Sequence, residues 1–159
     1  MTKERHYCDS CVFLGFLNNE PDKFDECRTV LCAAEEGVIE LFTSQFTQAE
    51  VIKIKGQTEL DESKENIIDQ LFDQSWVKTA NFEREMARIC RSLCWTYGIK
   101  PYDALHIATA IRLRVDFFDT TDKPLMDKLP ERIGYLPDYP EVTIQRPFVN
   151  GYSPPILGL

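Results

Sequence analysis

An α/β fold with a mostly parallel central sheet and helices on both of its faces is what this 159-residue sequence predicts. Two observations carry that expectation. Short runs rich in branched and aromatic residues alternate with segments of helical periodicity, and the order of short strand, polar residue and helix recurs at least three times. The length suits one domain with a single core of ordinary size.

The elements follow in order. Tyr7 to Val12 reads as a short first strand running into a helix or turn, because "CVFLGFL" is apolar at too many consecutive positions for a solvated loop. "NNEPD" punctuates the chain at residues 18 to 22. Phe24 to Glu36 reads as a helix with Val30, Leu31, Ala33 and Ala34 on its inner face, stopped by Gly37. "VIELFTS" has the content of a second strand, and Ser44 is a credible N-cap for a helix over "QFTQAEVIKI". Lys55 to Ser63 is the longest expected loop. "ENIIDQLFDQ" reads as a short amphipathic helix and "WVKTA" as a brief strand.

Phe82, Met86, Ile89, Leu93 and Tyr97 recur at spacings of three or four, which predicts a helix of about four turns with Gly98 as its stop. A further helix starts in "PYDALHIATAIRL", and "VDFFDTTD" reads as a short strand with polar residues crowded at its end. Residues 130 to 159 hold six of the nine prolines, with "VTIQRP" as a last strand. This divides the chain into a core over residues 1 to 129 and a final strand with a proline-rich tail over 130 to 159, which belongs to the same domain or docks a partner.

Composition narrows the function classes. The chain is 43% hydrophobic and 28% charged, as folded soluble proteins are. No apolar run approaches the roughly 18 residues of a membrane span, and Asp9 interrupts the amino terminus before any signal-like apolar run begins. A cytoplasmic protein is the default. The net charge of −8 argues against broad nucleic-acid binding by charge alone. The six cysteines read as reduced thiols, since a chain of this length needs no staples. Cys8 and Cys11 stand in C-x2-C spacing beside His6, yet a structural zinc site needs four ligands, and Asp9 between the thiols disfavours a redox thiolate.

Acids sit at the strand-to-helix junctions, where open parallel sheets place their ligand sites. Asp9 ends the first strand, Glu50 lies in the helix after the second, Asp103 opens a helix after "KPY", and Asp122 follows a strand through "DTT". Each also has a structural reading: a cap for Asp103 and Asp122, a solvated helix residue for Glu50, a turn carboxylate for Asp9. Gathered without lysine or arginine between them, such groups repel one another unless a divalent cation holds them. An all-oxygen set selects Mg²⁺ or Mn²⁺, one or two ions, over Zn²⁺.

At these positions the chain resembles the PIN-domain family, and within it the VapC-like toxins of bacterial toxin–antitoxin pairs. "YCDSCVFLGFL" is similar to the opening motif through Asp9 and Ser10, and "FTSQFTQAEV" to the second through Ser44 and Glu50. "YGIKPYDALHIATA" resembles the third through Asp103, and "TTDKPL" the last through Thr120 and Asp122. The four motifs cover Tyr7 to about Leu125. The resemblance implies a three-layer α/β/α fold with a PIN-like catalytic core. It also implies Asp9, Glu50, Asp103 and Asp122 as catalytic metal ligands and Mg²⁺- or Mn²⁺-dependent endonucleolytic cleavage of RNA to a 5′-phosphate and a 3′-hydroxyl. A small antitoxin covering the site and a homodimer are the partners it implies.

Around the acids, Ser10, Ser44 and Thr120 are expected to orient carboxylates or waters, and Asp119 to act as an outer ligand or to face solvent. Arg84, Arg88 and Arg91, opposite the apolar stripe of their helix, and Arg112 and Arg114 are candidates for phosphate contacts or for an ordinary solvated face. His106, one turn after Asp103, reads as packing or as a hydrogen-bonding support. The alternatives are a PIN-like interaction module that no longer cleaves, and a different metal-dependent phosphodiesterase acting on DNA.

Overall fold

The computed structural model describes residues 2–52 and 62–157, and among these, six strands form one sheet in the order β3-β2-β1-β4-β6-β5. The strands are β1 (Arg5–Cys8), β2 (Glu40–Ser44), β3 (Val77–Ala80), β4 (Phe117–Asp119), β5 (Arg132–Tyr135) and β6 (Tyr139–Gln145). All neighbours pair in parallel except β5 and β6. Helices α1 (Ser10–Leu17), α2 (Phe24–Glu35), α3 (Gln45–Glu50), α4 (Glu62–Phe72), α5 (Arg84–Tyr97), α6 (Pro101–Arg112) and α7 (Lys123–Met126) complete the α/β architecture.

Side-chain alternation along β1 divides the core in two. Cys8 packs with Val12, Cys27, Leu31 and Leu41 against α1 and α2. Tyr7 points the other way and packs with Phe118, Ile107, Ile111 and Ile144 against α5 and α6. Tyr7 stacks on Phe118 at 5.5 Å, in keeping with their direct pairing across β1 and β4.

Helix boundaries follow local chemistry. The first strand is shorter than the apolar run suggests because the Asp9 carboxylate accepts from the Cys11 N–H and caps α1, converting "CVFLGFL" to helix. Ser44 caps α3 through the Thr47 N–H. That helix ends at Glu50, short of the expected extent, and positions 53 and 54 lie outside the described residues. The expected loop over Lys55 to Ser63 lies outside them through residue 61, with α4 beginning at Glu62. In α5, Met86, Ile89 and Leu93 are buried as the periodicity predicts, but the chain is still extended at Glu83, so Phe82 precedes the helix and is 63% exposed. Gly98 ends α5 in the left-handed region, which glycine adopts without steric cost.

Two elements have no clear sequence signal: β5, four residues that include a glycine, and the single turn α7. β6 lies between β4 and β5, so residues beyond 130 contribute two strands to the sheet. The tail then turns back onto α2, where Val149 is buried with the α1/α2 core and Arg28 donates to the Pro155 carbonyl.

On the α1/α2 side of the sheet, His6 and Asp119 are both fully buried. The His6 Nδ1 lies 2.6 Å from Asp119 Oδ2, and Gln145 Nε2 donates to Asp119 Oδ1 at 2.8 Å. Burial lowers the His6 pKa, but the hydrogen bonds and charges of Asp119 and of Glu4, whose Oε2 lies 3.2 Å from Nε2, together outweigh it and hold the imidazole above its ordinary value. Asp119→Ala removes the buried partner of His6 and leaves only the more exposed Glu4 at the imidazole, so chemical denaturation should show a loss on the order of 3 kcal/mol; an unchanged midpoint would mean that the pair contributes nothing to holding β1 against β4.

Candidate active site

The carboxyl ends of β1, β2 and β4 point the same way, and the acids of interest gather beyond them. Asp9 follows β1 directly and is 4% exposed. Its Oδ1 accepts from the Cys11 N–H at 3.1 Å and its Oδ2 from the Thr120 hydroxyl at 2.6 Å. Thr120 Oγ1 in turn accepts from the Asp122 N–H at 3.1 Å, which ties the loop after β4 to the end of β1. Asp122 caps α7, its Oδ1 accepting from the Leu125 N–H at 3.1 Å. Asp103 lies in the first turn of α6 and is half-buried.

Glu50, the last residue of α3, meets His106 of α6, with Oε1 accepting from Nε2 at 2.5 Å, while Ser10 donates to Oε2 at 3.3 Å. Behind His106, the Tyr7 hydroxyl lies 2.8 Å from Nδ1 and donates to Ser44 Oγ at 3.0 Å. A chain of polar contacts thus runs from the core of the sheet to the Glu50 carboxylate. Its members were separable in the sequence: Tyr7 lies two positions before Asp9, on the same side of the strand, and His106 lies one turn from Asp103. The pairing of His106 with Glu50 had no sequence signal, since it bridges two helices 56 residues apart.

The acids feel one another. Burial, with a further push from Asp122, raises the Asp9 carboxyl to about 6, while His106 and the Thr120 hydroxyl pull it down. Asp103 is raised by burial and then by Asp122 and Glu50, against the pull of His106 and Lys100. Four segments distant in sequence therefore share one electrostatic neighbourhood.

The remaining expected residues fall into place differently. Ser10 and Thr120 touch carboxylates, whereas Ser44 reaches Glu50 indirectly, through Tyr7 or Thr47 and then His106. Asp119 departs from the expectation: it pairs in register with Cys8 and so points to the α1/α2 face, away from Asp9 and into His6 and Gln145. It is neither solvated nor beside the other acids. The arginines lie toward solvent. Arg84, Arg88 and Arg91 are exposed on α5, with Arg88 3.7 Å from Glu85. Arg112 pairs with Glu83 at 3.0 Å, about 13 Å along α6 from Asp103. Arg114 donates to the Asp138 carbonyl. All six cysteines are free, and burial raises the Cys11 thiol with Asp9 adding to the effect, the reverse of what a reactive thiolate needs.

Donor chemistry at this edge suits a hard divalent ion, since carboxylate oxygens dominate it and their mutual repulsion is what a cation relieves. Convergence is incomplete: among the described residues no group of three or more His, Cys, Asp or Glu side chains is drawn together to hold a metal ion. Asp9 is turned to Thr120 and Glu50 to His106, each satisfied by protein donors.

The PIN domain family matches residues 6–130. The chain belongs to the PIN domain family. Asp9, Glu50, Asp103 and Asp122 all lie within the matched residues. No curated protein sequence matches the chain significantly. Among solved structures, a toxin-antitoxin complex from Klebsiella pneumoniae is similar with a TM-score of 0.52 and 19% identity, over 74% of this chain and 86% of that one. The structure of FitAB bound to an IR36 DNA fragment is similar with a TM-score of 0.58 and 19% identity, over 89% of this chain and 94% of that one. At that identity the likeness is one of fold, and it extends over the PIN architecture described above.

The raised Asp9 carboxyl has a thermodynamic consequence. Because the folded protein holds this proton more tightly than the unfolded chain, the contribution favours folding at low pH and is lost as pH rises from about 4 through about 6. Ionised Asp9 then costs on the order of 3 kcal/mol. In EDTA, Asp9→Asn, which keeps the capping oxygen, should raise the denaturation midpoint more at pH 7.5 than at pH 4.5. Equal changes at the two pH values would show that Asp9 titrates as an ordinary exposed carboxyl.

Proposed function

We propose that this PIN domain is a divalent-metal-dependent endoribonuclease and the toxin of a toxin–antitoxin pair. The observation that carries the reading is the meeting of Asp9, Glu50, Asp103 and Asp122 from four separate segments in one electrostatic neighbourhood, two of them with carboxyls raised by burial and by one another. Such an arrangement is destabilising for the isolated protein and becomes favourable when it receives a cation. PIN membership supports nuclease chemistry, and similar folds described as a toxin-antitoxin complex and as FitAB bound to DNA support an antitoxin partner.

Asp9, Glu50, Asp103 and Asp122 would hold Mg²⁺ or Mn²⁺, one or two ions. When bound, the ion supplies Lewis acidity that activates water and neutralises charge building on the phosphoryl oxygens. The chain's own residues prepare the site. Thr120 ties one oxygen of Asp9 to the amide of Asp122, which fixes the loop after β4 relative to the end of β1. His106 and Ser10 hold the two oxygens of Glu50, setting its orientation from behind. The Asp103 carboxylate, in the first turn of α6, has no hydrogen-bond or ion-pair partner among the described residues, which leaves it available to a cation or to an attacking water.

A specific observation favours a second reading, an interaction module that does not cleave: Glu50 is already satisfied by His106, and no three acids converge. One assay separates the two. Purified chain freed of any partner should cut single-stranded RNA with Mn²⁺ or Mg²⁺, leave 5′-phosphates and stop in EDTA. Asp103→Asn should lower the rate by at least about a hundredfold with an unchanged circular dichroism spectrum and melting temperature. Absence of cleavage in all conditions, or full activity in Asp103→Asn, would exclude the nuclease reading, and preference for DNA would redirect its substrate.

Because Asp9 must be ionised to bind a cation, cleavage and Mn²⁺ affinity should both fall as pH drops through about 6. A profile flat from pH 5 to 8, measured by calorimetric Mn²⁺ titration alongside the rate, would place Asp9 outside the cation site.

A further inference from the structure

Beside the acids lies an aromatic surface that no step above uses. Tyr102 immediately precedes Asp103 and is 66% exposed. Its ring is held flat against Phe46 of α3, with centroids 5.4 Å apart and planes within 10°. Phe46 in turn meets His106 at 5.3 Å, the residue that holds Glu50. An exposed tyrosine backed by a second ring presents a flat face whose orientation is set in advance, and that geometry reduces the ordering cost of stacking a planar ligand. Phe46 also lines a cavity of about 350 Å³, together with Ala49, Phe82, Leu105 and Thr109 among others. Phe82, at its rim, is 63% exposed although it is a large apolar residue. The volume is within the range of small-ligand pockets, about 300 to 1,000 Å³, and can take a nucleobase.

We propose that the Tyr102–Phe46 stack and the adjoining cavity rimmed by Phe82 form a subsite for unpaired nucleobases flanking the phosphodiester presented to the acids. The inference deepens the nuclease reading and rests on it for the choice of ligand. Three features favour a base over another occupant. Phe46 of the stack meets His106, which holds Glu50, so a base here lies one side chain away from the acids. Stacking tolerates sequence and carries no charge, which suits a chain of net charge −8 that attracts phosphate poorly. Two of the arginine candidates are paired with acids, Arg88 with Glu85 and Arg112 with Glu83, which leaves less cationic surface for phosphate and gives base faces a share of the binding. Only unstacked bases present such faces, and single-stranded or looped substrate is therefore selected over duplex.

The test reads binding without cleavage. A single-stranded oligonucleotide carrying 2-aminopurine is titrated with the full-length, partner-free chain in EDTA, and quenching of the base fluorescence reports stacking. RNA and DNA versions and a matched duplex form the arms. Quenching is expected for the single strands and not for the duplex. Tyr102→Ala and Phe82→Ala should each weaken binding about tenfold or more. Tyr102→Phe should bind like the parent, and Tyr102→Leu, apolar without a ring, should not. Both residues are largely exposed, so melting temperatures within a few degrees of the parent establish that the variants are folded.

Parent-like binding by Tyr102→Ala or Tyr102→Leu overturns the proposal. So does protection of Tyr102 and Phe82 from chemical labelling by a copurifying protein and not by RNA, which would make this face a protein-docking surface. The outcomes stay distinguishable from those of the parent reading. Quenching without metal-dependent cleavage rejects the nuclease and keeps the base site, whereas cleavage with no stacking does the reverse.

Discussion

The structure depends on a carboxylate carried into the interior at the end of its central strand. β1 has neighbours on both edges and a packed core on both faces, so the residue that ends it has little access to water. Asp9 occupies that position by serving the backbone, capping α1 with one oxygen and receiving the Thr120 hydroxyl with the other. Two hydrogen bonds do not compensate for the solvent it loses, and the raised carboxyl pKa reflects the deficit. The same interactions that make the acid tolerable fix its position relative to the strand ends on either side.

A division of labour between the two faces of the sheet follows. Toward α5 and α6, Tyr7 connects the core to His106 and Glu50, so the acid from α3 is oriented by a ring rooted in the core. Toward α1 and α2, the buried His6 and Asp119 and the half-buried Gln145 join three neighbouring strands through side chains, in addition to the backbone ladder. Both networks place polar groups in a low-dielectric interior, where they are favourable only when fully paired. Pairing is also what makes strand register matter: a slip of one residue would turn Tyr7 and Asp9 to the wrong side.

Much of this was legible before any coordinates. Strands β1 to β4 and β6, and the helices that follow the polar breaks, can be read because each apolar run changes period or ends in a capping residue. The sequence offers Ser44 and Asp122 as caps and Asp9 as a turn carboxylate as well as site residues, and in the structure all three are N-caps at strand exits. The cap reading and the chemical one describe the same placement. Asp119 was harder, because its direction depends on register with Cys8, which a single strand does not disclose. The tie between His106 and Glu50 and the stack of Tyr102 on Phe46 arise where α3 meets α6, and contacts between helices distant in the chain leave no periodicity. β5 escaped notice because four residues with a glycine carry too little pattern to separate strand from turn.

The position of β6 bears on where the smallest self-sufficient unit ends. The family match stops at residue 130, yet the Thr120 amide donates to the Gln145 carbonyl, and the Gln145 side chain reaches both Asp119 and the Phe148 carbonyl. Cutting the chain at the family boundary would turn β4 into a bare edge strand, open the flank of Phe118 to solvent and free the loop that steadies Asp9. Residues outside the recognisable motif region are thus part of the scaffold that shapes it, and any transplant of this domain must extend at least through Val149.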